Sequence, residues 1–460
     1  MKILSSIIIY LIIFISYSTS YAGEVNFHGF VQGNLSSRIT GEKTPDPVEG
    51  GDFISGGEKI RGEVTGGSGE SDFALKVDMA HDAISNTDEI DIREGYIDYR
   101  STDYDLRIGR QIITWGIGDL LFINDIFPKN YSALFSGQPM EYLKTGSDAV
   151  KISTYSDVIS AELVIIPFFE PNTLPDPKRF SLYMPMTITG IEEPRNEIDN
   201  TETALRIYRQ IHGFDTSLYV YKGFYKTPGM RPASSTTAVL FYPKLAVYGF
   251  SVQGNFADGV LGLEGGYYDS LDDRNGSDLS TPNSTTKYIL GYSRQFWTDF
   301  TAGIQFYGEY MHEYSNYEAS LPAGFPKTDK LHQLITLRLT QMLKYNTLRL
   351  SLFSFYSPDD EDYFIIPEMR YNISDSLWTE VGFNLFGGKD SRTFFGQFDK
   401  NDNLFTTLRY EFLRFRKKLH LRRCAASFVI RRTNKVRLIP QDLRALHLEL
   451  FTKPSASVTS

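Results

Sequence analysis

Cysteine is almost absent from this sequence: Cys424 is the only one among 460 residues. A lone cysteine excludes an internal disulfide and a metal site built from several cysteines. Long apolar runs are also missing beyond the N-terminus, since the longest uninterrupted one covers residues 163–169 and contains Pro167. No later segment is therefore predicted to cross a membrane as a helix.

The N-terminus itself does carry an apolar run. Lys2 gives it a positive start, residues 3–15 form the apolar core, and Ser-Tyr-Ala at residues 20–22 fits a small-x-small cleavage site. This pattern predicts a cleaved signal peptide over residues 1–22. A transmembrane anchor is disfavoured because the apolar run is too short to span a bilayer comfortably.

Beyond residue 22, apolar and polar residues alternate in segments of about ten residues, the length that a tilted strand needs to cross a bilayer. In residues 73–79 the odd-numbered positions are apolar, whereas Lys76 and Asp78 share the opposite face. The connections are alternately short and long, which is typical of barrels with short periplasmic turns and long external loops. We predict strands near 25–37, 53–65, 72–80, 92–100, 105–115, 147–155, 158–168, 202–210, 215–227, 243–256, 260–270, 286–297, 301–314, 330–344, 347–357, 363–373, 377–388 and 403–412.

Because hydrocarbon offers no hydrogen-bond partner, spanning strands must close into a barrel without edges. The predicted fold is therefore all-β: a transmembrane antiparallel up-and-down β-barrel over residues 23–412, with about 18 strands, or 16 if one hairpin is really a loop. It ends in an aromatic residue, Phe412, which resembles the terminal strand that barrel-assembly machinery recognises. Residues 413–460 carry 12 basic and 2 acidic residues, and we predict a basic extension outside the barrel, disordered or weakly helical.

If the apolar faces meet lipid, the opposite faces project charges of both signs into the barrel. Glu264, Glu309, Glu380 and Glu411 lie in these rows. The pore-lining candidates are Lys59, Arg61, Glu63, Lys76, Asp78, Glu94, Asp98, Arg100, Arg107, Arg338, Arg349, Glu368, Arg370 and Arg409. Two interpretations remain open: ion ladders that solvate and stiffen the lumen, or a field that selects solutes.

One stretch departs from the alternation, because Arg110 follows Leu106 and Ile108 in an apolar row. Either Arg110 lies near a membrane interface, or a bulge at Gly109 turns it inward; we favour the bulge. The surrounding residues 105–130 resemble the Gly-Arg-Gln…Trp-Gly signature of a porin-like outer-membrane barrel family of unknown function, and more distantly the alginate-export porins. The residues that carry the resemblance are Gly109, Arg110, Gln111, Trp115, Gly116 and Asp119. The resemblance implies the fold and an outer-membrane location, but no substrate.

The connection that follows the signature, residues 117–146, is long and rich in apolar residues. Three placements are open: it folds inward as a constriction, it lies across the mouth, or it packs only on other loops. The proline-rich loop 170–201 is expected to join it as a lid.

The leading function is an outer-membrane porin-like channel for small polar or organic solutes. The alternatives are an outer-membrane enzyme, or a plugged barrel that acts through its external loops as an interaction protein. We predict no catalytic residues, metal site or cofactor. The expected partners are outer-membrane lipid, lipopolysaccharide, the assembly machinery and small solutes, with no nucleic acid; the solute and the oligomeric state stay undecided.

Overall fold

A computed structural model describes residues 24–40, 51–323, 325 and 327–418. The predicted signal peptide and residues 419–460 lie outside these described residues. The strands are β1 (Glu24–Arg38), β2 (Phe53–Ser68), β3 (Ser71–Asp82), β4 (Thr87–Arg100), β5 (Tyr104–Gln111), β6 (Ser147–Thr154), β7 (Ser160–Ile166), β8 (Thr187–Glu192), β9 (Glu202–Ile211), β10 (Phe214–Phe224), β11 (Gly229–Pro232), β12 (Thr237–Phe241), β13 (Lys244–Phe256), β14 (Gly259–Ser270), β15 (Thr285–Trp297), β16 (Phe300–Met311), β17 (Leu331–Leu343), β18 (Leu348–Ser357), β19 (Asp362–Asn372), β20 (Leu377–Gly388) and β21 (Asn403–Lys418).

Within the described residues, 18 strands form one antiparallel sheet that closes on itself. Each strand pairs with the next barrel strand along the chain, and β1 pairs with β21 to close the ring. The closure leaves no unpaired strand edge, as a membrane-spanning sheet requires. The predicted all-β transmembrane barrel and its 18 strands are confirmed, and the alternative of 16 is wrong.

The two ends of the barrel differ in their connections. At one end, which we call the short-turn end, hairpins close within a few residues, for example at 257–258 and 298–299. At the other, the long-loop end, the connections are mostly long and hold two short helices, α1 (Tyr131–Phe135) and α2 (Tyr314–Ser320). Three 3-10 helices are also present, at Met140–Leu143, Ile198–Asn200 and Gly396–Asn401.

The strands β8, β11 and β12 form a separate small sheet in the loops of the long-loop end. Within it, β12 pairs parallel to β8 and antiparallel to β11. The sequence analysis did not predict this sheet, because strands of four to six residues are too short for the alternation to stand out.

Exposure alternates along the barrel strands as the two-faced pattern predicts. On β2, Ile60 is 44% exposed, whereas its neighbour Arg61 is only 4% exposed. On β3, Met79 is exposed and Asp78 is buried. The apolar residues therefore point outward and the charged ones into the barrel. None of the helices among the described residues is long and apolar enough to cross a membrane.

Three predicted boundaries differ from the structure. The strand predicted over 105–115 ends at Gln111, where the chain leaves the wall. The bulge predicted at Gly109 is wrong, because β5 pairs with β4 and β6 without a register shift through this position. The last strand continues beyond the predicted end at Phe412 to Lys418, since its backbone keeps pairing with β1 down to Glu24.

Candidate constriction site

The connection between β5 and β6, residues 112–146, contacts strands all around the barrel. We call it the inward segment. Its residues bond or pack against β2, β7, β14, β17 and β20. A segment can reach strands on opposite sides of a closed ring only from inside it. The expectation of an inward constriction is therefore confirmed over the other two placements.

Two signature residues prepare the departure of the chain from the wall. Gly109 has a φ of +125°, which L side chains rarely adopt, and a Cβ at this position would overlap the carbonyl oxygen of Gly95 on β4. The Gln111 side-chain amide then donates to the carbonyl oxygens of Gly109 (3.2 Å) and Ala149 (3.0 Å). These contacts hold the end of β5 where its regular pairing stops.

Arg110, between these residues, is only partly buried at the end of β5. Its guanidinium forms an ion pair with Glu170 and lies 3.5 Å from Asp148. Because carboxylates from two neighbouring segments balance its charge, no bulge is needed to turn it inward.

Trp115 marks the point where the segment enters the barrel. Its indole N–H donates to Glu162 on β7 at 3.0 Å. Its ring lies edge-on to Phe127, with the centroids 5.2 Å apart, and 5.8 Å from the ring of Tyr219 on β10. A buried tryptophan with its N–H satisfied is a rigid anchor, so the signature tryptophan fixes the entry of the segment.

The first half of the inward segment docks on the wall through Glu264 of β14. One carboxylate oxygen accepts the backbone N–H groups of Ile117 (2.8 Å) and Gly118 (3.0 Å). The other accepts the backbone N–H (2.8 Å) and the side-chain amide (2.9 Å) of Asn124. Glu264 is 1% exposed, so this carboxylate serves the segment rather than the solvent.

Glycines make room for this close approach. Gly116 has a φ of +77°, and a Cβ there would lie 2.6 Å from a carboxylate oxygen of Glu264. On the wall, a Cβ at Gly266 would lie 2.7 Å from the side chain of Ile123. The signature glycine and the wall glycine thus let the segment lie flat against β14.

Asp119, the last signature residue, bridges the segment to the next strands. Its carboxylate pairs with both guanidinium nitrogens of Arg338 on β17, one of them at 2.7 Å. The Gln305 side chain on β16 accepts the N–H of Asp119 (2.7 Å) and donates to its carbonyl oxygen (2.9 Å). The Asp119 and Arg338 side chains keep about two fifths of their surface exposed, 43% and 38%, so this pair faces the open lumen.

The second half of the segment is held by an aromatic cluster. Phe135, at the end of α1, lies edge-on to Phe364 and Phe386, with centroid distances of 5.3 and 5.5 Å, and 4.7 Å from Phe398. Its carbonyl oxygen accepts the side-chain amide of Asn384 at 2.9 Å. Phe364, Phe386 and Phe398 are almost fully buried, which stabilises this half by removing apolar surface from water.

Glu141 then connects the segment to the opposite wall. Its carboxylate bonds to Arg61 of β2 at 2.8 Å and to Arg409 of β21. Arg61 also forms a bidentate pair with the buried Asp78, at 2.6 and 2.7 Å. Partial burial raises the pKa of Glu141, but the two guanidinium groups outweigh burial and hold the pKa below its ordinary value.

The remaining pore-lining candidates lie on the inner face, mostly in pairs between neighbouring strands. Lys76 pairs with Glu94 at 2.6 Å, Arg107 with Asp98 at 2.6 Å and Arg349 with Glu380 at 3.0 Å. These pairs match the ion-ladder interpretation. The others have different contacts: Glu63 with His28, Arg100 with Asp72, Glu368 with Ser351, Lys59 over the Tyr142 ring and Arg370 over the Trp378 ring.

A second layer covers the inward segment at the long-loop end. In the connection between β7 and β8, the backbone N–H of Thr173 donates to the carbonyl oxygen of Lys129 (2.8 Å). Farther along, Arg179 pairs with Asp82 of β3 at 2.8 Å, and Phe180 is 1% exposed. We call residues 172–181 the mouth strap. Its contacts on both sides of the opening agree with the lid expected for the loop 170–201.

Cavities remain on both sides of the inward segment. On the long-loop side, a cavity of about 320 Å³ is lined by Phe122, Tyr131, Lys287 and Glu309 among others. On the short-turn side, cavities of about 280 and 710 Å³ share Ile117 and Gln253 in their linings. Among the described residues, no group of His, Cys, Asp and Glu side chains is arranged to hold a metal ion.

Sequence reasoning missed three residues of this site. Glu264 fits the inward row, but nothing in its alternation predicts that it binds backbone N–H groups of a distant loop. Glu141 and Asn124 lie in that loop, where no periodicity indicates a partner. A loop carboxylate or amide shows its role only once the fold brings it to the wall.

No protein-family model and no curated protein sequence matches this chain. Two solved structures resemble its fold. OccD3 (OpdP) of Pseudomonas aeruginosa is 10% identical, with a TM-score of 0.51 and 85% of this chain and 91% of that chain covered. OccAB3 of Acinetobacter baumannii is 9% identical, with a TM-score of 0.50 and coverages of 85% and 99%. At such low identity the likeness is one of fold, and the chain is a transmembrane β-barrel of that architecture.

Proposed function

We propose that this chain is an outer-membrane porin-like channel that lets small polar or organic solutes pass. The observation that carries the proposal is the inward segment, which narrows the lumen at mid-height and leaves water-accessible cavities above and below it. A barrel wall with an apolar outer face and a charged inner face supports a water-filled interior. The likeness to the fold of OccD3 and OccAB3 supports the same class.

The constriction carries side chains suited to polar solutes. Asp119 and Arg338 face the lumen as an exposed ion pair, next to the amide of Gln305. Charged and amide groups at a narrow point determine which solutes replace their hydration shell there. Solutes small enough to pass between the segment and β16–β17 are therefore the expected cargo.

Planar-bilayer recording of the purified barrel tests this function. Steady open-channel current steps are expected from the wild type, and a larger conductance when residues 117–146 are replaced by a short Gly-Ser linker. The matched control shortens another long loop at α2, which lies outside the lumen contacts described here, and leaves the conductance unchanged.

A plugged barrel is the second candidate, and a specific observation favours it: the inward segment touches walls on opposite sides, and the mouth strap lies over it. A wild-type barrel that is silent in the bilayer, but conducts once residues 117–146 are replaced, would overturn the channel and support the plug.

A further inference from the structure

Glu264 is a buried carboxylate whose charge has no cation beside it. It is 1% exposed, and no Lys, Arg or His of the described chain lies within 4.0 Å of it. A buried charge is costly unless hydrogen bonds compensate it. Here the four N–H groups of Ile117, Gly118 and Asn124 do so, at 2.8 to 3.0 Å.

The geometry points to Glu264 as the positioning residue of the constriction: we propose that its carboxylate fixes residues 117–124 against β14 and thereby sets the width and ion preference of the passage. This inference rests on the proposed function. Glu264 makes no contact with the lumen itself. It acts through Asp119, which directly follows the bonded Gly118 and faces the lumen with Arg338.

The chain offers an independent way to perturb the same contact. A Cβ at Gly116 would lie 2.6 Å from one carboxylate oxygen of Glu264 and 3.2 Å from the other. Replacing Gly116 by Ala therefore pushes the segment and the carboxylate apart without removing a charge. Glu368 on β19 is the matched control, because it is an inner-wall glutamate that accepts a bond from Ser351 (3.1 Å) instead of from the inward segment.

The experiment compares Glu264→Gln, Gly116→Ala and Glu368→Gln in the full-length barrel. Hydrogen exchange is measured at the amides of residues 117, 118 and 124, and the reversal potential under a salt gradient gives the ion preference. In Glu264→Gln one carboxylate oxygen becomes an NH₂ group facing N–H donors. Exchange at those amides is expected to be about 10- to 100-fold faster, because hydrogen bonds to a charged acceptor are lost.

The reversal potential is expected to shift in Glu264→Gln and Gly116→Ala, and to stay at the wild-type value in Glu368→Gln. Combining the first two substitutions should give less than the sum of their effects, because both break one contact. A purely structural glutamate would lower stability without moving the reversal potential of the folded barrel.

Wild-type exchange and reversal potential in Glu264→Gln would overturn the inference. So would loss of the heat-modifiable folded band in both Glu264→Gln and Gly116→Ala, since the carboxylate would then serve folding alone. The exchange measurement needs no current. A barrel without channel activity but with faster exchange in both variants would therefore refute the proposed function while the anchoring by Glu264 stood.

Discussion

Arg61 offers the sharpest test of how the inner wall holds the inward segment. Its side chain is 5% exposed and pairs in bidentate fashion with Asp78, itself 4% exposed, while also bonding to Glu141. Substitution by Met keeps much of the volume but leaves the Asp78 carboxylate buried without its cation. Removing one partner of a buried pair costs about 3–5 kcal/mol, so Arg61→Met should destabilise the barrel by that amount.

Arg100 is the matched control. It pairs with Asp72 at 3.1 Å, but the two side chains are 60% and 41% exposed. Exposed pairs contribute about 0.2–1 kcal/mol because water screens them. Arg100→Met should therefore change stability by no more than that.

The assay is reversible unfolding of the refolded barrel in urea, followed by tryptophan fluorescence. The midpoint of Arg61→Met should fall well below that of Arg100→Met at an unchanged m-value. In the double variant Arg61→Met with Asp78→Leu, part of the loss should return, because the unpaired carboxylate is gone. Equal midpoints for the two single variants would refute the view that a desolvated ion pair holds this wall.

The remaining predictions address the faces, the pH response and the last strand. Leu350 is 39% exposed on the outer face, so Leu350→Lys should impair assembly by about 2–4 kcal/mol, whereas Arg349→Glu should fold normally and shift ion selectivity; the reverse result would invert the two faces. The lowered pKa of Glu141 means that its stabilisation is present above the ordinary value of 4.5 and is lost as the pH falls below it, so bilayer current should become unsteady in acid for the wild type, while Glu141→Gln shows no such onset. Truncation after Lys418 should keep the heat-modifiable folded band, whereas truncation after Phe412 should weaken it, because the backbone of residues 413–418 pairs with β1; identical bands would place the barrel boundary at Phe412.

Most of the barrel was predictable because its signals are local. Alternation along 73–79 or 348–352 depends only on neighbouring residues pointing to opposite sides of a strand. Short turns such as 257–258 reveal themselves through their own residues. Each of the 18 strands could therefore be placed from the sequence, although several ends moved by a few residues.

The small sheet of β8, β11 and β12 and the extension of β21 were not predictable in this way. The sheet brings together strands separated by more than 40 residues of chain, as in the pairing of Thr187 with Thr237. The residues after Phe412 lack an apolar row, yet their backbone pairs with β1 because that strand is already in place. In both cases a distant partner outweighs the local pattern.

The sequence by itself determined the class of this protein: the absence of disulfides and apolar helices, the alternation, and the rhythm of short and long connections together require a closed transmembrane barrel. The tertiary structure alone decided the constriction. The inward segment has no periodicity of its own, and its position depends on Glu264, Arg338, Arg61 and Arg409, which come from strands far apart in the chain. Local spacing encodes which face of a strand a side chain occupies, but only the closed ring determines which loop atom it meets.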